Sequence, residues 1–231
     1  MHRSGLDNRV SAVLRAIIFD LDDTLVDQEG AARAAVVGWA AEHGISGPEV
    51  VARWEAVSGP YYQRYQRREI SFQEQRRARA REFLGVDVGD AEADELFAGY
   101  LTRYEAQWVA FADAVPTLRR VREAGLRTIV LTNGEDAHQR LKLDLTGLAE
   151  HVDLHVSTST LPVSKPDPQA YLLTCERAGI APTQALMVGN SLAHDVLGPI
   201  EAGLDAVLLD RHDAHPAAAV RRIATLADLA W

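Results

Sequence analysis

The stretch from Ile17 to Leu25 constrains the fold more than any other part of the chain. It reads IIFDLDDTL, so a continuous apolar run ends abruptly in three carboxylates and a threonine. A continuous apolar run bounded by charge is typical of a parallel strand that is buried on both faces. Ligand sites in open α/β sheets lie just beyond the carboxyl ends of such strands. The pattern therefore predicts that Asp20 and Asp22, on either side of Leu21, lie in a functional site.

Strands and helices alternate along most of the remaining chain. The strand at Arg15–Asp20 is followed by predicted strands at 126–132, 152–157, 185–188 and 205–209. The helices predicted between them cover 116–125, 137–144, 168–178 and 195–202. Such alternation implies right-handed crossovers, and it predicts an α/β protein with a doubly wound parallel, Rossmann-like sheet.

The segment from Gln28 to about Trp108 breaks this alternation, because only helical patterns appear in it. One helix opens with the capping-box sequence Ser71-Phe72-Gln73-Glu74 and ends at Gly85. We therefore predict an α/β core formed by residues 1–26 and 110–231. Residues 27–109 are predicted to form an inserted all-helical cap domain that covers the strand ends.

The two ends of the chain are predicted from weaker patterns. Residues 1 to about 14 are polar and are expected to form a mobile leader. At the other end, Val220, Ile223 and Leu226 repeat at helical spacing, which predicts a helix over Pro216–Leu229.

Composition excludes several classes of partner. The net charge of -9 argues against a nucleic-acid surface, which needs a basic face. No apolar segment approaches the roughly 20 residues that a membrane helix needs. The single cysteine, Cys175, excludes an internal disulfide and fits a reducing compartment, so we expect a cytoplasmic protein. We expect it to be a monomer or a homodimer.

Lysine is scarce in this chain. Only Lys142 and Lys165 are lysine among the 24 basic residues. A chain that uses arginine almost everywhere is expected to keep lysine where a compact point charge is needed.

Four ordered stretches carry a resemblance to a known family. They are DLDDTL at 20–25, LTNG at 131–134, KPDP at 165–168, and GNS at 189–191 followed by Asp195. In this order and at predicted strand ends, they resemble the haloacid dehalogenase-like (HAD) superfamily. The similarity is to its phosphatase branch, in which a helical C1-type cap is inserted after the first strand.

The resemblance implies a role for each stretch, and each role suits the residue type. Asp20 would be the nucleophile that forms an aspartyl-phosphate, and Asp22 the general acid and base. Thr132, Asn133 and Lys165 would bind the phosphoryl group, with Lys165 also stabilising the transition state. The cofactor would be Mg²⁺, which prefers oxygen ligands. Its predicted ligands are Asp20, the main-chain oxygen of Asp22, Asn190 and Asp195.

The fourth stretch departs from the family pattern, since an acidic residue usually stands where this chain has Asn190. An amide oxygen can bind Mg²⁺ but adds no charge, so weaker metal affinity is expected. The predicted function is Mg²⁺-dependent hydrolysis of a small phosphorylated metabolite, such as a sugar phosphate or nucleotide. A weakly active or inactive homologue that binds phosphate or a partner is one alternative.

Two other activities of the superfamily are disfavoured by single residues. The phosphomutases that the chain resembles carry a histidine 12 residues after the nucleophile, where this chain has Ala32. The dehalogenases lack the second aspartate, which here is Asp22. The cap would set the substrate, and one or two of its many arginines are expected to reach the site. The candidates are Arg64, Arg67, Arg68, Arg76, Arg77, Arg79 and Arg81.

Overall fold

The computed structural model describes residues 13–231, so the predicted leader lies almost wholly outside the described residues. A six-stranded sheet forms the centre of the molecule. Its strands are β1 (Ala16–Phe19), β2 (Arg127–Thr132), β3 (Leu154–Ser157), β4 (Ala185–Gly189), β5 (Asp205–Leu209) and β6 (Arg222–Ile223).

The strand order is β3-β2-β1-β4-β5-β6, and every neighbouring pair is parallel. The chain runs outward from β1 to β3, then returns to place β4 on the other side of β1. The order therefore reverses at β1 and β4, where ligand sites form in such sheets. The predicted doubly wound parallel sheet is confirmed.

Both faces of the sheet are buried, as the continuous apolar strands predict. Ile17 and Phe19 of β1 pack on one face, in a cluster with Leu118 and Val121. Ile18 packs on the opposite face, in a cluster with Tyr171 and Cys175. Cys175 is a buried free thiol. This two-sided packing fixes β1, and so fixes the direction of the carboxylates that follow it.

Four helices lie within residues 27–109, the segment for which only helices were predicted. They are α1 (Gln28–Glu42), α2 (Val50–Gln66), α3 (Phe72–Leu84) and α4 (Asp90–Ala106). The helices surround a shared aromatic core in which the Trp39 ring stacks on Phe83 at 5.3 Å and meets Trp54 at 5.5 Å. The predicted capping box at Ser71 is present, and Gly85 ends α3 in the left-handed conformation.

The remaining helices connect the strands. They are α5 (Ala114–Glu123), α6 (Asp136–Leu145), α7 (Pro168–Ala178) and α8 (Gly198–Glu201). The helix predicted at 195–202 is instead a π-helix, Leu192–Leu197, followed by the short α8. Within the part of the chain that the structure describes, no helix is long and apolar enough to cross a membrane.

The prediction of a helix over Pro216–Leu229 is wrong. This segment contributes the edge strand β6 and a 3-10 turn at Leu226–Asp228. The Asp113 carboxylate accepts hydrogen bonds from Thr225 Oγ1 at 2.6 Å and from the Leu226 N–H at 2.9 Å. Pairing with β5 and these contacts outweigh the local helical spacing, a tertiary effect that sequence periodicity does not contain.

Candidate active site

A buried lysine joins two carboxylates at the carboxyl ends of β1 and β4. Lys165 Nζ lies 2.7 Å from Asp20 Oδ1 and 2.7 Å from Asp195 Oδ1. The Lys165 and Asp195 side chains are only 2% and 1% exposed. Asp20 follows β1 directly, and its N–H donates to Val188 O of β4 at 2.9 Å. The structure therefore brings the predicted nucleophile Asp20 together with Lys165 and Asp195 at the point where the strand order reverses.

The oxygens of Asp20 and Asn190 converge on one hydroxyl group. Thr24 Oγ1 lies 3.4 Å from Asp20 Oδ2 and 3.4 Å from Asn190 Oδ1. Both Asp195 oxygens already accept hydrogen bonds, Oδ1 from Lys165 and Oδ2 from the Ser191 N–H at 2.9 Å. Lys165 and the Ser191 N–H thus engage both Asp195 oxygens and Asp20 Oδ1, whereas Asp20 Oδ2 and Asn190 Oδ1 share the Thr24 hydroxyl.

The donor set at this point suits a hard cation. Carboxylate, amide and main-chain oxygens are the ligands that Mg²⁺ prefers. Within residues 13–231, no group of three or more His, Cys, Asp or Glu side chains is placed to hold a metal ion. A metal held here would therefore depend on the Asn190 amide and the Asp22 main-chain oxygen as well as on Asp20.

Asp22 points into a second group of polar side chains on α6. Lys142 Nζ donates to Asp22 Oδ1, and Gln139 Nε2 donates to Asp22 Oδ2 at 2.9 Å. The same Gln139 nitrogen lies 2.7 Å from Thr132 Oγ1. Gln139 therefore links the second aspartate to the hydroxyl at the end of β2. Since Thr132 Oγ1 accepts that bond, its own proton is free to donate.

The Asn133 side chain positions the lysine loop. Its Nδ2 donates to Lys165 O at 2.9 Å, and its Oδ1 accepts from the Lys165 N–H at 2.9 Å. Thr158 Oγ1 donates to the same Oδ1 at 3.0 Å. These bonds use the amide oxygen twice and one of the two N–H groups of Nδ2, so the other side-chain N–H and the main-chain N–H remain for a phosphate contact. Sequence reasoning placed Asn133 in the site without foreseeing this support.

The two aspartates have opposite shifts in pKa. Burial raises the pKa of Asp20 to about 7, against the opposing effect of Lys165. A cation beside Asp20 would favour its charged form and lower that pKa. Asp22 is only partly buried; burial acts to raise its pKa, but Lys142 and Gln139 together hold that pKa below the ordinary value. Asp22 is thus kept as a carboxylate in this arrangement.

Two glycines allow these side chains to approach the backbone. A Cβ atom at Gly189 would lie 2.4 Å from Asp195 Cγ, and one at Gly134 would lie 2.4 Å from the Gln139 amide. Real Cβ atoms do not approach this closely, so any larger residue would displace the carboxylate or the amide. The glycines of the GNS and LTNG stretches are therefore needed for the site geometry.

The site opens into a cavity of about 560 Å³ between the strand ends and the helices α1–α4. Asp20, Asp22, Thr132, Lys165 and Asn190 all line it. The opposite wall comes from the helices and includes Trp54, Tyr62, Phe72, Arg76, Arg79 and Tyr100. Ala32 also lines the cavity, and it offers no group for proton transfer.

Several residues of this site were not singled out from the sequence. Gln139 carries no motif that would mark it. Lys142 carried a signal in the scarcity of lysine, since both lysines of the chain are buried ion-pair partners of site aspartates. Among the candidate cap arginines, the structure places Arg76 and Arg79 in the cavity wall. Arg77 and Arg81 instead pair with Asp90 outside it.

Comparisons with known proteins agree with this geometry. The family model for haloacid dehalogenase-like hydrolases matches residues 14–203. The chain is 30% identical over 222 residues to a phosphoserine phosphatase from Thermus thermophilus, covering 86% of this chain and 89% of that protein. It is 28% identical over 199 residues to (S)-2-haloacid dehalogenase 1 from a Pseudomonas species, covering 86% of this chain and 85% of that protein.

Solved structures show the same fold. The crystal structure of the HAD-hydrolase YfnB from Bacillus subtilis, bound to magnesium, aligns with a TM-score of 0.79. It is 20% identical and covers 94% of this chain and 96% of that one. Three findings lead to one conclusion: Asp20 and Asp22 follow β1, Lys165 joins Asp20 to Asp195, and the family model matches most of the chain. The chain belongs to the haloacid dehalogenase-like hydrolase family and is a hydrolase.

Proposed function

We propose that this protein is a Mg²⁺-dependent phosphomonoester hydrolase that acts on a small phosphorylated metabolite. We also infer that helices α1–α4, within residues 27–109, act as its cap domain. The relative from Thermus thermophilus is named for phosphoserine, which is a small phosphate monoester. The cavity of about 560 Å³ is of a size that holds a small metabolite.

The first half-reaction begins at Asp20. Lys165 holds Asp20 Oδ1, which leaves Oδ2 to attack phosphorus. The phosphorus–oxygen ester bond breaks as the Asp20–phosphorus bond forms, and the departing alkoxide takes a proton from Asp22. The Thr132 hydroxyl and the N–H groups of the following turn donate to the phosphoryl oxygens, while Lys165 supplies positive charge. Mg²⁺, held by Asp20, Asn190 and the Asp22 main-chain oxygen, would offset the repulsion between phosphate and Asp20.

The second half-reaction returns the enzyme to its starting state. Asp22, once more a carboxylate, takes a proton from water as that water attacks phosphorus. The bond between phosphorus and Asp20 breaks, and phosphate is released. Lys142 and Gln139 hold Asp22 in its carboxylate form, which is the form this step requires. To act as the acid in the first step, Asp22 must first leave Lys142 and take up a proton from solvent; the proton that it takes from water in the second step restores this protonated form.

The position of Asp22 is the observation that most strongly supports the phosphatase proposal. Gln139 binds Asp22 and Thr132 with the same amide nitrogen, so the acid–base group lies beside the predicted phosphate-binding hydroxyl. A departing alkoxide needs a proton, whereas a departing halide does not. A second carboxylate in this position has a use in phosphate ester hydrolysis that it lacks in dehalogenation.

Dehalogenation is the second candidate, and the ion pair between Asp22 and Lys142 favours it. An Asp22 that never leaves Lys142 would donate no proton, and Asp20 would be the one reactive carboxylate. Asp20 would then attack the halogen-bearing carbon, halide would leave, and water would cleave the resulting ester. The 28% identical (S)-2-haloacid dehalogenase makes this candidate specific to 2-haloacids.

The deciding experiment measures phosphate release from p-nitrophenyl phosphate with Mg²⁺ and with EDTA, and halide release from 2-chloropropionate. We expect Mg²⁺-dependent phosphate release and no halide release. The Asp22→Asn variant should lose phosphate release because no base remains to take the proton from the water that cleaves the aspartyl-phosphate; p-nitrophenolate itself leaves without a proton. Halide release that persists in Asp22→Asn would establish dehalogenation instead. If folded protein releases neither phosphate nor halide, that result would support the binding-protein alternative.

Replacement of Asn190 by aspartate tests the proposed metal ligand. We expect Asn190→Asp to tighten Mg²⁺ binding by about tenfold, because a carboxylate adds charge to a site whose affinity follows ligand charge. Titration calorimetry with Mg²⁺ alone measures this without turnover. The exposed Gln107→Glu substitution makes the same charge change on the surface and should leave the affinity unchanged. An unchanged Mg²⁺ affinity in Asn190→Asp would show that residue 190 is not a ligand.

A further inference from the structure

Two arginines on one face of α3 line the cavity without a carboxylate partner. Phe72, Gln75, Arg76 and Arg79 recur at a spacing of three or four residues, so they share one face of the helix. All four line the cavity that contains Asp20. Within residues 13–231, neither Arg76 nor Arg79 has a carboxylate oxygen within 4.0 Å.

The other face of the same helix shows the usual arrangement. Arg77 contacts Asp94 at 2.7 Å and Asp90 at 2.6 Å, and Arg81 contacts Asp90 at 2.7 Å. Arginines on α3 that face away from the cavity are therefore paired, and those that face into it are not. The face of α3 on which an arginine lies therefore separates the paired arginines from the unpaired ones.

Aromatic rings and neutral groups hold the inward-facing guanidinium groups. Arg79 lies 4.5 Å from the Trp54 ring centre, and Arg76 lies 4.1 Å from that of Phe72. Arg79 also donates to Ser58 Oγ at 3.1 Å and to Gln75 Oε1 at 3.0 Å. Stacking fixes the plane of a guanidinium group while leaving N–H groups at its edge available. Neither ring nor neutral acceptor neutralises the charge.

Most of the other charged side chains that line the cavity have partners within the protein. Lys165 pairs with Asp20 and Asp195, and Lys142 pairs with Asp22. Arg33 pairs with Glu29 and Glu55. Glu135 also lines the cavity, and it caps α6 by accepting from the His138 N–H at 2.9 Å. Asp23, at the strand end, accepts from the Glu29 N–H at 2.7 Å.

Arg76 and Arg79 therefore form a positive region in the helical wall that has no directly paired carboxylate within the described residues. Glu105 and Glu135 are the carboxylates that act on Arg76, both from beyond ion-pair distance. Burial lowers the pKa of both guanidinium groups, as expected for cations removed from water without a close carboxylate. Both side chains are partly buried, and a charge that has lost part of its hydration gains from a close opposite charge, so a ligand that supplies a negative group would be favoured here.

We propose that Arg76 and Arg79 form an anion-binding subsite for a second negatively charged group, a carboxylate or a phosphate, on the substrate. This inference rests on the proposed phosphatase function, because it places the scissile phosphate at Asp20 and Lys165. The substrate is then a small phosphomonoester that carries another anionic group at its far end. A sugar phosphate without a second charge would leave this subsite unfilled.

Binding of non-hydrolysable phosphonates tests the subsite without turnover. Phosphonoacetate carries a carboxylate, ethane-1,2-bisphosphonate carries a second phosphonate, and propylphosphonate carries an uncharged tail. With Mg²⁺ present, we expect at least one doubly anionic compound to bind wild type roughly 10- to 100-fold more tightly than propylphosphonate, the range for a charge-assisted hydrogen bond. Which of the two binds more tightly identifies the anion as carboxylate or phosphate.

The substitutions Arg76→Met and Arg79→Met keep an unbranched apolar side chain and remove the charge. Each should reduce the preference for the doubly anionic compound to within a few-fold of propylphosphonate. Arg77→Met, on the outward face of the same helix, should keep the full preference. Since the preference is a ratio within one protein sample, partial unfolding of a variant lowers both signals and leaves the ratio unchanged.

The outcomes separate the two proposals. No preference in wild type, or an equal preference in Arg79→Met and Arg77→Met, would overturn the subsite. A preference that depends on Arg76 and Arg79 in a protein that releases no phosphate from any ester would support the subsite and reject the phosphatase function. Phosphate release without any preference would do the reverse.

Discussion

The Asp20→Asn variant should lose at least about 10⁴-fold in kcat, the scale seen when a catalytic nucleophile is removed. Asparagine has the shape of aspartate but cannot form an acyl phosphate. Phosphate release from p-nitrophenyl phosphate with saturating Mg²⁺ measures the effect. The exposed Asp87→Asn substitution makes the same change on the surface and should keep full activity.

The fold should survive this substitution. Lys165 would keep its 2.7 Å contact with Asp195, so the buried cation would remain paired. Burial already raises the pKa of Asp20 to about 7, so a neutral side chain is acceptable at this position. We expect the free energy of unfolding to change by no more than about 1 kcal/mol. Retention of a tenth of the wild-type kcat by folded Asp20→Asn would contradict the assignment of Asp20 as nucleophile.

The sequence was sufficient to predict the residues that follow the strands. In a parallel sheet the carboxyl ends of all strands meet at one edge, so motifs at those ends must converge. Asp20 after β1, Thr132 at the end of β2 and Asn190 after β4 needed only the strand assignment to be placed together. The lysine at 165 followed from its motif, and the structure places it on Asp20.

Contacts made through helices could not be placed in the same way. Whether Arg76 or Arg77 faces the cavity depends on how α3 is rotated against α2 and α4, and this rotation is set by packing of the aromatic core. Gln139 reaches Asp22 because α6 begins soon after β2 and holds the Gln139 amide beside Thr132 Oγ1. The prediction of a helix over Pro216–Leu229 was wrong for a related reason, because pairing of Arg222–Ile223 with β5 outweighs the helical spacing of the apolar residues. Short-range periodicity contains neither kind of information.

The Lys165→Met variant should lose more stability than any other single substitution in the active site. It leaves Asp20 and Asp195 buried without their cation, and Asp195 is almost fully removed from water. Loss of one partner from a buried ion pair costs about 3–5 kcal/mol. For a chain of this size, that lowers Tm by roughly 6–20 °C. Unfolding should be measured in EDTA, because a divalent cation in the site would itself compensate the carboxylates.

Lys142→Met provides the matched comparison, since these are the two lysines of the chain. Lys142 pairs with one carboxylate, and the Asp22 side chain is 28% exposed, so water can hydrate it after the lysine is lost. Lys142→Met should therefore lose less stability than Lys165→Met. Adding Asp195→Asn to Lys165→Met should recover part of the lost stability, because it removes one uncompensated charge. Equal losses in the two lysine variants, or no recovery in the double variant, would show that charge pairing is not what Lys165 contributes to the fold.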